Sequence, residues 1–302
     1  MPVTDQNNLR GVAFMLLAMV IFSFQDVMSK ALAANHSPLF ITMWRYWAFG
    51  AVCLVLLWRK GFSRGLKSGQ PLLQIARSIG LALEICLAIL AFHLVGLAGT
   101  TAIFAFGPLL VVALSGPLLG ERVGWRRWAA IGVGFLGMLL IIRPGSQTLS
   151  IGLGAAILAM VMFALYGLAT RRVAETDPAM TSFYYTGVCG AVVMTLIGPW
   201  FWSSMAPAEA LLMATLCVAG MLGHFTLIKA LEAAEASSLQ PFAYFQTIFS
   251  MTWGVVIFNE IVPASTITGG IIVIGAGLFA FWRERVRARQ AAKAPPAFID
   301  PN

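Results

Sequence analysis

The sequence predicts an all-α polytopic membrane protein, ten transmembrane helices arranged as two inverted five-helix repeats. Three observations carry that prediction: an apolar composition, ten apolar runs of spanning length, and a cation pattern that changes sides between two copies of one unit. Of 302 residues, 59% are hydrophobic and 11% charged, against about 25% charged in a typical soluble domain. Mean hydropathy is +0.85. Such a chain is not a soluble globule, and no soluble domain fits between its apolar runs.

A helix needs about 20 apolar residues to cross the hydrocarbon core. The first run, roughly 11–34, follows Arg10. It superficially resembles a signal peptide with Ala31-Leu-Ala33 as cleavage site, but Asp26 and Lys30 precede that site and its removal would leave nine spans. The second run, 38–58, opens at Pro38 and stops at Arg59-Lys60; the third covers 72–95. The fourth, 100–119, contains Gly107-Pro108 and ends in Leu-Leu-Gly-Glu121. The fifth, 127–143, is rich in glycine. A connection of Gly, Pro and Ser type, Pro144 to Ser150, then separates the halves. Runs six to ten follow at 151–170, 179–200, 207–230, 239–258 and 265–282, the seventh behind Pro178 and the ninth around Pro241. The predicted organisation is a first five-helix repeat over 11–144, a second over 151–283, and a basic cytoplasmic tail over 284–302.

The halves read as one unit written twice. Phe22-Ser-Phe-Gln-Asp-Val-Met-Ser-Lys30 lies over Phe163-Ala-Leu-Tyr-Gly-Leu-Ala-Thr-Arg171, Pro38 over Pro178, and Leu119-Gly-Glu121 over Phe258-Asn-Glu260. The last pair is followed by Gly132 and Gly137 in one half and Gly270 and Gly275 in the other. Each match is short; their shared order and offset indicate duplication.

Lys and Arg in short loops favour the cytoplasm. One face carries Arg10, Arg59, Lys60, Arg64, Lys67, Arg77, Arg122, Arg126, Arg127, Arg171 and Arg172, and the tail from Arg283 to Lys293; the other carries only Arg143. Both termini are therefore placed in the cytoplasm, in a bacterial-type inner membrane. The basic loops of the first half correspond to loops without Lys or Arg near 201–207 and 259–265, so the two copies cross in opposite directions. The net charge of +8 is explained by this topology and by anionic lipid headgroups; nucleic acid is not an expected partner. Cys53, Cys86, Cys189 and Cys217 lie in apolar runs without paired spacing, so neither a disulfide nor a metal site is expected, and no cofactor motif is present.

Ionisable groups at a bilayer centre cost about 2.5–3.5 kcal/mol each, so each one present needs a partner or a purpose. In the first run Phe22, Gln25, Asp26, Ser29 and Lys30 share one helical stripe. Asp26 and Lys30, four apart, either form a structural pair or offer a cavity carboxylate for a cation or proton. Arg45, in the setting Met43-Trp44-Arg45-Tyr46-Trp47, cannot shed its charge. It either clamps Asp26 or Glu84 or holds a substrate carboxylate or phosphate. Glu84, near the middle of its run, is the candidate for proton coupling. His93 and His224 serve either as interhelical donors or as titrating groups. The ninth run offers Gln240-Pro-Phe-Ala-Tyr244, Gln246 and Thr247, the fourth Thr101, Phe104 and Gly107-Pro108; bends at their prolines are candidate gate elements. Glu121 and Glu260 are read as structural carboxylates that pair with Arg or cap the following helix. The glycines of the fifth and tenth runs read as packing or dimer surfaces.

The polar first span, Arg45 in the second, the ending Leu-Leu-Gly-Glu121 and the glycine-lined fifth span resemble the EamA-type drug/metabolite transporter superfamily over residues 11–283. Asp26-Val-Met-Ser-Lys30, Trp44-Arg45, Ile142-Arg-Pro-Gly145 and Gln240-Pro-Phe-Ala-Tyr244 resemble the branch with bacterial carriers for riboflavin and S-adenosylmethionine. The resemblance implies a central cavity built from the first four helices of each repeat. The expected function is secondary-active transport of a small organic metabolite by alternating access; a multidrug or amino-acid exporter of the same fold is the alternative, and a membrane-embedded enzyme fits less well. Substrate contacts are expected from Asp26, Lys30, Trp44, Arg45 and Glu84 in the first half, with Phe104. From the second come Tyr166, His224, Tyr244 and Gln246. The expected partners are an anionic or zwitterionic small molecule, protons and membrane lipids, with the chain a monomer or homodimer.

Overall fold

The computed structural model describes residues 3–121, 123–143 and 150–293. Arg122, the connection 144–149 and the end of the tail from 294 lie outside them. Ten described helices are long and apolar enough to span a membrane. They are α1 (Val3–Ala33), α2 (Pro38–Lys60), α3 (Pro71–Leu94), α4 (Leu97–Leu119), α5 (Trp125–Ile142), α6 (Ile151–Val173), α7 (Ala179–Ile197), α8 (Pro207–Ala233), α9 (Ala236–Phe258) and α10 (Ala264–Lys293).

Local chemistry sets these limits. Pro38, Pro71 and Pro207 sit in the first turns of α2, α3 and α8, where the missing N–H would be unpaired in any case. Ser37 and Ser150 cap α2 and α6 by accepting from Leu39 N at 3.3 Å and Leu153 N at 3.2 Å. The two copies of the closing motif fold alike. Gly120 ends α4 at φ 74° and Asn259 ends α9 at φ 52°, the left-handed cap that glycine or asparagine tolerates. Behind each, Glu121 N donates to Ser115 O at 3.3 Å and Glu260 N to Gly254 O at 3.2 Å. The fourth span breaks into Leu97–Phe104 and Gly107–Leu119, the break falling just before Pro108, which has no N–H to continue the ladder. The ninth runs helical through Pro241, so of the two expected bends only that of α4 interrupts its helix.

Packing repeats across the halves. α1 lies on α8 as α6 lies on α3, and α1 meets α9 as α6 meets α4; α2 pairs with α7, α4 with α9 and α5 with α10. Exchanging the halves maps this set of pairs onto itself, the pattern of an inverted repeat about a twofold axis in the membrane plane. Only part of the glycine pattern is used within the chain. A Cβ on Gly137 would stand 2.9 Å from Gly269 O and one on Gly269 2.5 Å from Gly137 O, whereas Gly132, Gly270 and Gly275 meet nothing within 4 Å. Trp58, Trp125 and Trp200, at helix ends, are exposed as expected of an interfacial aromatic belt.

The connections 61–70, 120–121 with 123–124, 174–178 and 234–235 lie on one face, here the basic face; those around 34–37, 95–96, 202–206 and 259–263 lie on the other. On the basic face the connection before α7 is tied to the one before α3. Asp177 accepts from Gly69 N at 2.7 Å, from Gln74 Nε2 at 2.8 Å and from the Ser68 hydroxyl. Arg77, counted above with the loop cations, is buried inside α3. It donates to Gln74 Oε1 at 2.8 Å and Ser182 O at 2.6 Å and lies 5.4 Å from the Tyr166 ring. Burial pushes the Asp177 carboxyl up, but the donors from Gln74, Ser68, Gly69 and Thr176 together outweigh it and hold the group below the usual carboxylate range. A depressed folded-state value gives stability that is complete above the ordinary carboxylate pKa and disappears as pH falls through the folded one. Asp177→Asn is therefore expected to lower thermal stability at neutral pH, by about 1–3 kcal/mol for a buried acceptor removed from its donors, and to leave a shallower loss of stability below pH 4. Unfolding midpoints of both proteins between pH 3 and 7 check this.

Candidate functional site

A central cavity of ≈110 Å³ lies between α1, α2, α3, α4, α6, α8 and α9. Six of the ten site residues predicted above, Asp26, Arg45, Glu84, Phe104, His224 and Gln246, line the cavity. Asp26 Oδ2 accepts from Gln246 Nε2 at 2.9 Å and Ser250 Oγ at 2.8 Å. The carboxylate thus joins the first helix of one repeat to the fourth of the other, and is not paired with Lys30 as the i, i+4 spacing allowed.

Arg45 and Glu84 are 5% and 4% exposed. Among the described residues neither makes an ion pair or a hydrogen bond, although each lies within Coulombic range of the other and of Asp26. The clamp of Arg45 onto Asp26 or Glu84 is therefore not formed. Buried charges are normally paired; here a guanidinium and a carboxyl group both face a space large enough for several waters, at about 10–15 Å³ of water-centre room each. The rest of the wall is apolar and aromatic, with Phe22, Phe92, Phe104, Phe163 and Met160, and adds Thr101, Thr247 and Gln25. His224 packs its ring on Phe22 at 5.1 Å and edge-on to Tyr166 at 6.0 Å, and neither ring nitrogen has a hydrogen-bond partner among the described residues.

Four predicted residues stand off the cavity wall. Trp44 turns into an aromatic cluster with Phe40, Trp47 and Trp202 near the non-basic face, because its helix position lies next to Arg45 and points about 100° away. Tyr166 lies between His224 and the Arg77 guanidinium, behind the wall. Tyr244 packs toward α10, where a Cβ on Gly277 would come within 1.9 Å of its hydroxyl. Lys30 pairs with Glu260, whose two carboxylate oxygens accept from Leu97 N at 2.8 Å and Ala98 N at 2.7 Å. Glu260 does cap a helix, but the broken fourth helix of the other repeat rather than the one that follows it. Ser250 was not anticipated; it falls one helical turn after Gln246, a spacing that places both on one face.

The cavity extends from Ser29 and Thr101 to Met15, Leu231 and Gln240, which lie toward the basic face. The Lys30, Glu260 and α4 contact stands at its non-basic end. Groups of three or more His, Cys, Asp or Glu able to hold a metal are absent among the described residues.

Comparison with known proteins agrees with the fold. The chain is 27% identical to an S-adenosylmethionine uptake transporter of Rickettsia prowazekii (strain Madrid E), over 92% of this chain and 94% of the relative. It is 26% identical to a pseudopaline exporter of Pseudomonas aeruginosa (strain UCBPP-PA14), over 88% and 94%. It is 25% identical to a riboflavin transporter of Rhizobium johnstonii, over 93% and 94%. A crystal structure described only as that of a protein superposes with a TM-score of 0.68 at 20% identity, over 92% of this chain and 98% of the other, and speaks for the fold. The first three of these relatives are transporters, not enzymes. The family match itself falls twice, over residues 9–143 and 150–282, one match for each half of the helical repeat. Two copies of the family unit, packed as an inverted pair around a shared cavity, make this multi-pass membrane protein a member of the EamA-like transporter family.

Proposed function

We propose that the protein is a secondary carrier that moves a small zwitterionic organic metabolite through the central cavity by alternating access, with its basic face and both termini in the cytoplasm of a bacterial-type cell. The observation that carries the reading is the unpaired couple of Arg45 and Glu84 on one cavity wall, beside Asp26. A guanidinium held without a partner in an apolar surround is a seat for a carboxylate or phosphate, which it binds through paired N–H donors. Asp26 offers the opposite pole to an ammonium or other cation some distance along the same molecule, and Phe104 and Phe163 supply flat apolar surface between them. S-adenosylmethionine, named for one group of relatives, combines a carboxylate, an ammonium and a sulfonium with an aromatic base, which is the type of molecule these poles would suit. The relatives include both uptake and export proteins, so the gradient, and not the fold, decides the direction of net movement.

Glu84 makes no ion pair or hydrogen bond among the described residues and is the group we assign to proton coupling. Glu84→Gln is expected to flatten the pH dependence of transport while leaving the protein folded; a pH profile identical to wild type would remove Glu84 from that role. The substrate class is tested by thermal shift of the purified protein against S-adenosylmethionine, riboflavin, amino acids and simple dicarboxylates, because a ligand bound only by the folded state raises its stability. The proposal expects zwitterions to raise the midpoint in wild type and not in Arg45→Ala. Stabilisation by purely cationic compounds alone would favour an exporter of lipophilic cations instead.

A further inference from the structure

Resting on the alternating-access reading, we infer that Glu260 and Glu121 are the two ends of a double latch, each closing one face of the carrier by clamping the first amides of the other repeat's fourth helix. The latch at the non-basic face is formed. Glu260 accepts from Leu97 N and Ala98 N and pairs with Lys30 from α1. Its seat is shaped for the purpose: Gly96 has φ +94°, and a Cβ there would come within 2.9 Å of Glu260 Oε1. A Cβ on Gly254 would meet both Ala98 N and Glu260 Oε2 at 2.9 Å. A carboxylate on the free amides of a helix N-terminus gains from both the hydrogen bonds and the helix dipole.

The carboxylate, the two amides and the cation of this latch have counterparts at the basic face, but the two seat glycines do not: the offset from Glu260 to Glu121 puts Glu235, at φ −61°, in the place of Gly96 and Ser115 in that of Gly254. Glu121 matches Glu260, and the same offset carries Leu97 and Ala98 onto Ala236 and Ser237, the first residues of α9. The repeat places Arg171 at the position of Lys30. The carboxylates leave their helices identically, each behind a left-handed residue and with the same N–H contact six residues back. Yet this second latch is open. Glu121 Oε2 is buried with no hydrogen-bond partner among the described residues, α9 begins without a side-chain cap, and Arg171 donates to Leu231 O at 3.0 Å and Glu232 O at 3.4 Å instead. A buried unpartnered carboxylate oxygen is expensive. Its pairing with Ala236 N, Ser237 N and Arg171 in the opposite state would compensate for breaking the Glu260 contacts, so the two states remain close in free energy, as a two-way carrier requires.

The test is hydrogen–deuterium exchange of the full chain in lipid nanodiscs, read on peptides covering 95–106 and 234–241. In wild type the amides of 97 and 98 are protected and those of 236 and 237 are not. Glu260→Gln is expected to speed exchange at 97–98 by roughly tenfold, the scale of losing a charge-assisted bond, and at the same time to slow it at 236–237. Adding Glu121→Gln to that variant is expected to abolish the slowing. Lys30→Gln, which leaves the carboxylate in place, gives the same reciprocal response more weakly should Glu260→Gln fold poorly. Faster exchange at 97–98 alone, in both variants, would reduce Glu260 to an ordinary helix cap and overturn the double latch. Exchange does not depend on substrate, so this failure is distinct from failure of the carrier reading, which would show as absent transport by wild type.

Discussion

Arg45→Ala is expected to lower transport of a zwitterionic or anionic substrate by roughly ten- to a hundredfold while leaving the unfolding midpoint within a degree or two of wild type. The magnitude follows from losing charge-assisted hydrogen bonds worth about 1.5–3 kcal/mol. The near-neutral stability follows from the geometry, because no described residue loses a hydrogen bond or ion pair when the guanidinium goes. In an ordinary buried ion pair the same truncation would strand the partner and destabilise by about 3–5 kcal/mol. Arg45→Lys is expected to recover only part of the activity, since an ammonium supplies a point charge and not the planar fork. Uptake into proteoliposomes together with melting of the same preparations separates the two effects, and unchanged transport in Arg45→Ala would take the residue out of the mechanism.

Asp26→Ala is expected to damage both properties. Its Oδ2 is the shared acceptor of Gln246 Nε2 and Ser250 Oγ, so truncation leaves an amide and a hydroxyl without an acceptor and unties α1 from α9. A loss of about 1–3 kcal/mol, a few degrees in midpoint for a chain of this size, is expected along with abolished transport. Asp26→Asn keeps one acceptor oxygen, so its midpoint is expected to lie nearer wild type while recognition of the cationic end still fails. If Asp26→Asn carried substrate at the wild-type rate, the carboxylate would be structural only.

The contrast between Arg45 and Asp26 also shows what could be read from the chain. The ten spans were legible because each needs about 20 apolar residues and the connections are short, and the inversion because cations avoid one side of the membrane in both copies. Asp26, Arg45, Glu84 and His224 stood out because titratable groups are expensive in lipid, and all four do line the cavity; His93, singled out on the same ground, is exposed near the end of α3 and does not. Their partners were not legible. Spacing on one helix offered Asp26 to Lys30, but the acceptor sites were filled from α9, more than 200 residues away, and Lys30 went to Glu260 at the end of that same helix. Trp44, Tyr166 and Tyr244 shared the right helices but not the right faces, and facing depends on how α2, α6 and α9 are rotated against their neighbours. Glu121 and Glu260 looked like equivalent helix ends in the sequence; only the structure shows one engaged and the other not.

In the proposed transport cycle an unmodified small molecule passes through the Arg45 and Glu84 cavity. This cycle is tested most directly by counterflow: purified protein in liposomes preloaded with a ligand found by thermal shift, with labelled ligand added outside and both pools identified by mass spectrometry. Transient accumulation of label against its gradient is expected in wild type, far weaker accumulation in Arg45→Ala, and chemically unchanged ligand on both sides. Label that equilibrates at the same rate in empty and preloaded vesicles, or that is recovered as a different compound, would contradict the cycle.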